Sequence, residues 1–259
     1  MRVQLGPIAR ARGVRLLSLD EIDSTNDEAR RLIETGERGP LWIVAARQTK
    51  GRGRLGREWI SRPGNFYASF VFGEFSEVRV APELGFVTGV AAMRALRALA
   101  GQGAFQLKWP NDLLLEGAKL GGILLECMNA STAPVAIIGV GVNLVDAPKD
   151  TPYPARALCE ALSAPSREAF FAHFSDAMAE ALELWNGGAG FAQIRQEWLA
   201  SAAGLGQDIT VVLSHEKLEG RFETIDASGR LVLETTDSRR TIEAGDVLIG
   251  PRATGGALA

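Results

Sequence analysis

Residues 105–144 read FQLKWPNDLLLEGAKLGGILLECMNASTAPVAIIGVGVNL. Four apolar runs lie in this stretch, Phe105 to Trp109, Leu113 to Leu115, Ile123 to Met128 and Val135 to Leu144, separated by short turn-forming segments. A parallel crossover needs a dozen residues or more, so connections this short join antiparallel strands. The expected fold class is therefore α+β, a mixed or antiparallel sheet with flanking helices, and not an alternating doubly wound sheet.

Upstream, Pro82 to Ala100 has helical spacing, with Pro82 where a first-turn proline is tolerated and Gly101 where a helix ends. Leu41 to Ala46 and Asn65 to Phe72 read as strands, and Ser24 to Glu34 as a helix with Thr25 as cap, Glu28 completing a capping box and Gly36 as stop. Downstream, Phe170, Phe174, Met178, Ala181 and Trp185 form one stripe of a helix from Ser166 to Trp185. A second helix follows through Ile194, Trp198 and Leu199. After Gly204 and Gly206 the texture changes to short β-branched strands, Ile209 to Leu213, Arg221 to Ile225, Leu231 to Thr235 and Thr241 to Ile249. These make a small all-β barrel, which divides the chain into domains 1–205 and 206–259, with Ala253 to Ala259 as a frayed tail.

With 28 basic against 31 acidic residues the net charge is −3, which excludes a globally basic nucleic-acid binder. A content of 46% hydrophobic and 23% charged residues is globular and excludes wholesale disorder. No apolar run approaches the ~18 residues of a membrane helix, so no membrane association is expected. The first 19 residues carry Arg2, Arg10, Arg12 and Arg15 without an acid but lack an apolar targeting core, and read as ordinary protein. Cys127 and Cys159 are too few for a disulfide framework or a zinc cluster, which points to a reducing, cytoplasmic setting.

Charge is nevertheless concentrated locally, since six basic residues between Arg47 and Arg62 face one acid, Glu58. Gly51-Arg52-Gly53-Arg54-Leu55-Gly56 satisfies G-x-G-x-x-G, but Pro63 and Gly64 follow, so it does not open the helix a dinucleotide site requires. It reads instead as a flexible loop whose Arg52, Arg54 and Arg57 would converge on a polyphosphate, or as a solvated surface loop. Lys108-Trp109-Pro110-Asn111-Asp112 and Lys119 place two of only five lysines on one hairpin, in a chain with 23 arginines. A lysine is chosen where a compact charge must reach one oxygen. Ser24-Thr25-Asn26 and Gly139-Val140-Gly141-Val142-Asn143 each also have a purely structural account, as a helix cap and a glycine-softened strand end.

Taken in order, Ser24-Thr25-Asn26, Gln48 before Gly51-Arg52-Gly53-Arg54-Leu55-Gly56-Arg57 and Trp59, Lys108-Trp109-Pro110-Asn111-Asp112, Lys119-Leu120-Gly121-Gly122-Ile123-Leu124 and Gly139-Val140-Gly141-Val142-Asn143-Leu144 resemble the motif series of the biotin protein ligases. The resemblance spans about residues 16 to 250. It implies a class II synthetase-like catalytic domain, an SH3-like C-terminal barrel and an ATP-dependent reaction in two halves. Biotin and ATP would give biotinyl-5′-AMP, and a lysine of a biotin carboxyl carrier protein would then accept the biotin. Only 23 residues precede Ser24, too few for the helix-turn-helix domain of family members that double as repressors, so the resemblance is to the monofunctional form with no DNA partner.

By the same resemblance Lys119, Arg54 and Asp112 are catalytic. Ser24, Thr25, Asn26, Gln48, Arg52, Gly53, Arg54, Lys119, Gly121 and Gly122 line the biotin and adenylate site, and Arg52, Arg57, Trp59, Asn65, Asn111 and Asn143 serve the nucleotide. The co-substrate is ATP with Mg²⁺, and Asp112 either orients Mg²⁺ or accepts a proton from the acceptor lysine. Lipoate ligation, a biotinyl-AMP-responsive DNA-binding regulator and an inactive binding module are the competing readings, and monomer and homodimer both remain open.

Overall fold

The computed structural model describes residues 3–75, 77–101, 104–129, 133–161, 163 and 165–249. The expected tail, Ala253 to Ala259, lies outside the described residues. A short helix α1 (Pro7–Ala11) leads into strand β1 (Arg15–Ile22), helix α2 (Thr25–Glu34) and strands β2 (Leu41–Gln48) and β3 (Phe66–Phe72). Helix α3 (Glu83–Ala100) precedes β4 (Phe105–Lys108), β5 (Asp112–Leu115), β6 (Ala118–Asn129) and β7 (Pro134–Val142). Helices α4 (Arg167–Trp185) and α5 (Phe191–Leu199) follow. The chain ends in β8 (Asp208–Val212), β9 (Lys217–Ile225), β10 (Leu231–Glu234), β11 (Arg239–Ile242) and β12 (Asp246–Ile249).

The first seven strands form one sheet in the order β1-β2-β3-β7-β6-β5-β4. All neighbours are antiparallel except β1 and β2, which run parallel with α2 as the crossover. The sheet is thus mixed, and residues 105–144 supply its antiparallel half β7-β6-β5-β4. Strand β1 escapes a pattern reading because it is an edge strand with no fully buried position.

Alternation along β3 assigns the two faces of the sheet. Phe66, Ala68, Phe70 and Phe72 point into the main core with Trp42, Phe171 and Phe174, where the Trp42 and Phe70 rings lie 4.7 Å apart. Helices α3 and α4 pack together over this face. Tyr67, Ser69 and Val71 point to the opposite face, where α2 crosses β2, β3 and β7 and a smaller cluster of Ala29, Ile33, Ile43, Val71 and Ile137 anchors it. That second face carries the candidate site.

Two local expectations are corrected. The cap of α2 is Ser24, in extended conformation with Oγ accepting from Asp27 N at 3.4 Å, so Thr25 is already the first helical residue. No capping box forms with Glu28, whose carboxylate instead accepts from Arg31 at 2.8 Å. The single final strand expected from Thr241 to Ile249 is two, because β11 pairs with β10 and β12 pairs with β8 at the other edge of the same sheet. The five C-terminal strands form an all-antiparallel sheet in the order β11-β10-β9-β8-β12. It docks on the first unit through Trp109, whose Nε1 donates to Gly229 O at 3.0 Å, and Arg195, whose Nε donates to Ile225 O.

Candidate functional site

A cavity of about 290 Å³ opens where the N-terminus of α2, the β2–β3 connection, the β5–β6 hairpin and strand β12 meet. That volume is near the lower end for small-molecule sites. Five cationic side chains, Arg52, Arg54, Arg57, Lys108 and Lys119, and three acidic ones, Glu58, Asp112 and Asp246, are on its wall.

The floor is made by glycines on β6 and β7. Gly139 stands opposite Ser69, and a Cβ there would collide with the Asn26 amide. Gly141 stands opposite Tyr67 and Gly122, and a Cβ there would lie 2.5 Å from the Trp59 ring. The alternating glycines of this strand therefore clear space for one amide and one indole. The indole Nε1 is buried without a hydrogen-bond partner.

The α2 end of the cavity is a buried polar chain. Thr25 N donates to Gln48 Oε1 at 2.8 Å, Thr25 Oγ1 lies 3.0 Å from the same oxygen, and Gln48 Nε2 donates to Ser61 Oγ at 3.3 Å. Ser69 Oγ lies 2.7 Å from Thr25 Oγ1 and 2.5 Å from Asn26 Oδ1. Ser24, Thr25, Asn26 and Ser69 are all at most 4% exposed.

The arginine-rich stretch is a tight hairpin. Arg52 and Glu58 form an antiparallel bridge, Gly53 N donates to Arg57 O at 2.7 Å, and Leu55 and Gly56 turn the chain with φ of 57° and 73°. The expected irregular loop is corrected accordingly. Mutual repulsion does not prevent this order, because each guanidinium has an outside carboxylate. Arg52 pairs with Asp27 on α2, whereas Arg54 and Arg57 reach Asp246 on β12 at 3.6 and 3.3 Å. The three guanidiniums thus flank the cavity from two sides and do not converge on one point.

The β5–β6 wall is built around Asp112. Its Oδ1 lies 2.7 Å from Lys119 Nζ and its Oδ2 lies 3.1 Å from Lys108 Nζ. Burial pushes the Asp112 carboxyl up, but the two ammonium groups outweigh burial and hold it below the usual carboxylate range. Lys119 is further placed by backbone pairing with Pro154 and Arg156, which brings Tyr153 over its Nζ at 5.0 Å from the ring centroid. Lys108 Nζ also donates to Val247 O at 3.2 Å, tying this wall to β12.

Of the residues singled out in the sequence, Ser24, Thr25, Asn26, Gln48, Arg52, Gly53, Arg54, Arg57, Trp59, Asn111, Asp112, Lys119 and Gly122 line the cavity. Gly121, Asn65 and Asn143 do not. Gly121 is needed where β6 crosses close to Gly141 O. Asn65 clamps the chain after β7, accepting from Val145 N and Asp146 N and donating to Asp146 O. Asn143 is buried, and its backbone pairs with Leu120 and Leu158. Asn111 is on the wall, but its amide is already engaged, donating to Ile123 O at 2.6 Å and accepting from Arg54 at 3.1 Å.

The sequence reading missed Tyr153, Ser69 and the β12 residues Asp246, Val247 and Leu248. Tyr153 sits in a proline-rich connection without periodicity, Ser69 is one polar residue in an apolar strand, and β12 reaches the cavity only through domain docking.

Comparison with known proteins gives one answer. Residues 19–143 match the biotin/lipoate A/B protein ligase family, and residues 204–250 match the biotin protein ligase C-terminal domain. A biotin–[acetyl-CoA-carboxylase] ligase of Paracoccus denitrificans is 38% identical over 244 residues, covering 90% of this chain and 99% of that protein. The bifunctional ligase/repressor BirA of Escherichia coli is 31% identical over 83% of this chain and 68% of its own. Among solved structures, the biotin protein ligase of Aquifex aeolicus in complex with biotin and ATP superposes with a TM-score of 0.78 at 28% identity, covering 90% of this chain and 97% of that one.

Proposed function

The chain belongs to the biotin protein ligase family, and we propose from that premise that it activates biotin with ATP and transfers it to a lysine of a biotin carboxyl carrier protein. The observation that carries this reading is the pairing of the buried polar chain at α2 with the cationic wall around Lys119 in one cavity. The match to the biotin-specific C-terminal domain favours biotin over lipoate.

In the first half-reaction a carboxylate oxygen of biotin bonds to the α-phosphorus of ATP, and pyrophosphate leaves with the electrons of the broken P–O bond. Two anions must approach, so positive charge at the meeting point is the main requirement. Lys119 supplies it from a fixed position, since Asp112 and Tyr153 hold its ammonium from different sides. Arg54 and Arg57 flank the phosphate side, exchanging Asp246 for phosphate oxygens, and Arg52 flanks the biotin side. The unpartnered Trp59 Nε1 is a donor available to the adenylate. Thr25, Asn26 and Gln48 offer the donors and acceptors that a ureido ring with two N–H groups and one carbonyl requires.

In the second half-reaction the neutral carrier amine attacks the acyl carbon, the acyl–oxygen bond of the anhydride breaks, AMP departs with its electrons, and the amine proton passes to the departing phosphate or to water. Asp112 is a poor base for the amine proton, because both of its oxygens are ion-paired and its acidity is enhanced. Its role is to hold Lys108 and Lys119 in place. The same geometry does not fit Asp112 as a metal ligand, since a divalent cation there would sit between two ammonium groups. Among the described residues no group of three His, Cys, Asp or Glu side chains could hold a metal. Mg²⁺ would arrive on the ATP phosphates and offset their charge there.

Pyrophosphate release tests the reading. The protein with MgATP should release pyrophosphate on addition of biotin and not on addition of lipoate. Release that lipoate supports equally well would overturn it.

A further inference from the structure

Glu126 lies outside the cavity wall, on β6 two residues beyond Leu124 and on the same face as Gly122. Its Oε2 accepts from Asn26 Nδ2 at 2.7 Å, and its Oε1 accepts from Arg30 at 2.9 Å. We infer that Glu126 is a positioning residue that fixes which end of the Asn26 side-chain amide faces the ligand, and so sets the donor and acceptor pattern that the biotin ring meets. This rests on the reading of the cavity as a biotin site.

A side-chain amide has two nearly isosteric ends of opposite polarity, and only its partners decide which way it points. A carboxylate can only accept, so it selects the N–H end of Asn26. The carbonyl end is thereby directed to Ser69, whose hydroxyl lies 2.5 Å away. Gly139 makes this orientation possible, because any Cβ at that position would enter the space of the amide. The neighbouring amide is set by the same logic with the opposite partner. Thr25 N–H can only donate, so it selects the carbonyl end of Gln48 and turns Nε2 towards Ser61.

Both amides of the chain are therefore oriented by groups of a single polarity, one a backbone N–H and the other the Glu126 carboxylate. Without Glu126 the Ser69 hydroxyl could accept from Asn26 as readily as donate to it. With an apolar side chain at position 126 the N–H end finds its remaining acceptor at Ser69, so the flipped orientation dominates, presenting a carbonyl where the ligand needs a donor and leaving buried polar groups unpaired. Arg30 pairs with the other carboxylate oxygen from a part-exposed position, and Arg52 lies 4.0 Å from the same group. The residue thus touches the recognition chain on one side and the arginine hairpin on the other.

The test compares Glu126→Met, Glu126→Gln and Arg30→Met in biotin-dependent pyrophosphate release, with Asn26→Ala as the reference background. Loss of a hydrogen bond to a charged group should raise KM for biotin at least about tenfold in Glu126→Met, with KM for ATP and kcat within about threefold of wild type. Glu126→Gln should fall between Met and wild type, because its carbonyl end can still accept. Arg30→Met removes the ion pair but keeps the acceptor, and should leave KM for biotin within about threefold. In the Asn26→Ala background, Glu126→Met should add nothing further. Equal effects of Glu126→Met on KM for biotin and for ATP, equal effects of Arg30→Met and Glu126→Met, or full additivity with Asn26→Ala would each overturn the inference. A wild-type protein that shows no response to biotin would overturn the functional reading beneath it, which separates the two failures.

Discussion

Asp112 carries two lysines on two oxygens, and the consequences can be stated one residue at a time. In the proposed mechanism, replacing Lys119 with Met removes the positive charge offered to the two approaching anions, and kcat for adenylate formation should fall about 100-fold or more with the fold retained. Asp112→Asn should weaken both activity and stability, and its stability effect has a definite pH signature. The folded carboxyl lies below the ordinary range, so its contribution is complete above the unfolded value of about 4 and is lost as pH falls through the lower folded value. Urea unfolding of wild type and Asp112→Asn should show a constant difference at neutral pH that shrinks on acidification. A difference that widens in acid would contradict the ion-pair account. At this scale the sequence was informative: two of only five lysines on one hairpin was a visible anomaly. What it could not give was the sharing of one carboxylate by both lysines, which depends on the register of β5 against β6, shifted by a bulge after Leu113.

The element that brings the polar chain to the cavity is α2, entered through Ser24 and laid over β3 and β7. Ser24→Ala should destabilise the protein by about 0.5–1 kcal/mol in denaturant unfolding, at the low end for a cap because the 3.4 Å bond is long. Strand β7 makes a sharper prediction. Gly141→Ala would drive a methyl group into the Trp59 ring, displacing the indole from the floor, and kcat/KM should drop about tenfold or more, with a smaller change in midpoint of unfolding. Unchanged kinetics in that variant would remove Trp59 from the site. Helices and central strands were readable from periodicity, and the Gly-Val-Gly stretch was noticed. Its purpose was not readable, because the groups filling the cleared space come from residues 26 and 59, far away in sequence. The arginine hairpin was misread as irregular for a similar reason. Its order depends on Asp27 and Asp246, which no local pattern places beside it.

For the whole molecule, the site is completed by docking of the C-terminal sheet, which contributes Asp246, Val247 and Leu248 to the wall and receives Lys108 at Val247 O. Asp246 anchors two arginines of the hairpin, so Asp246→Ala should loosen it and speed tryptic cleavage after Arg54 or Arg57 about threefold or more in the ligand-free protein. Cleavage at the wild-type rate would show that the anchor is unimportant. The two-part organisation was legible from the change in texture after Gly204, whereas the contribution of the second part to the cavity was not. The account as a whole stands on one transfer. Incubation with MgATP, labelled biotin and an apo biotin carboxyl carrier domain should place label on the carrier at a single lysine, and a carrier in which that lysine is Arg should stay unlabelled. Absence of label on the intact carrier, or equal labelling of the Arg-substituted one, would contradict it.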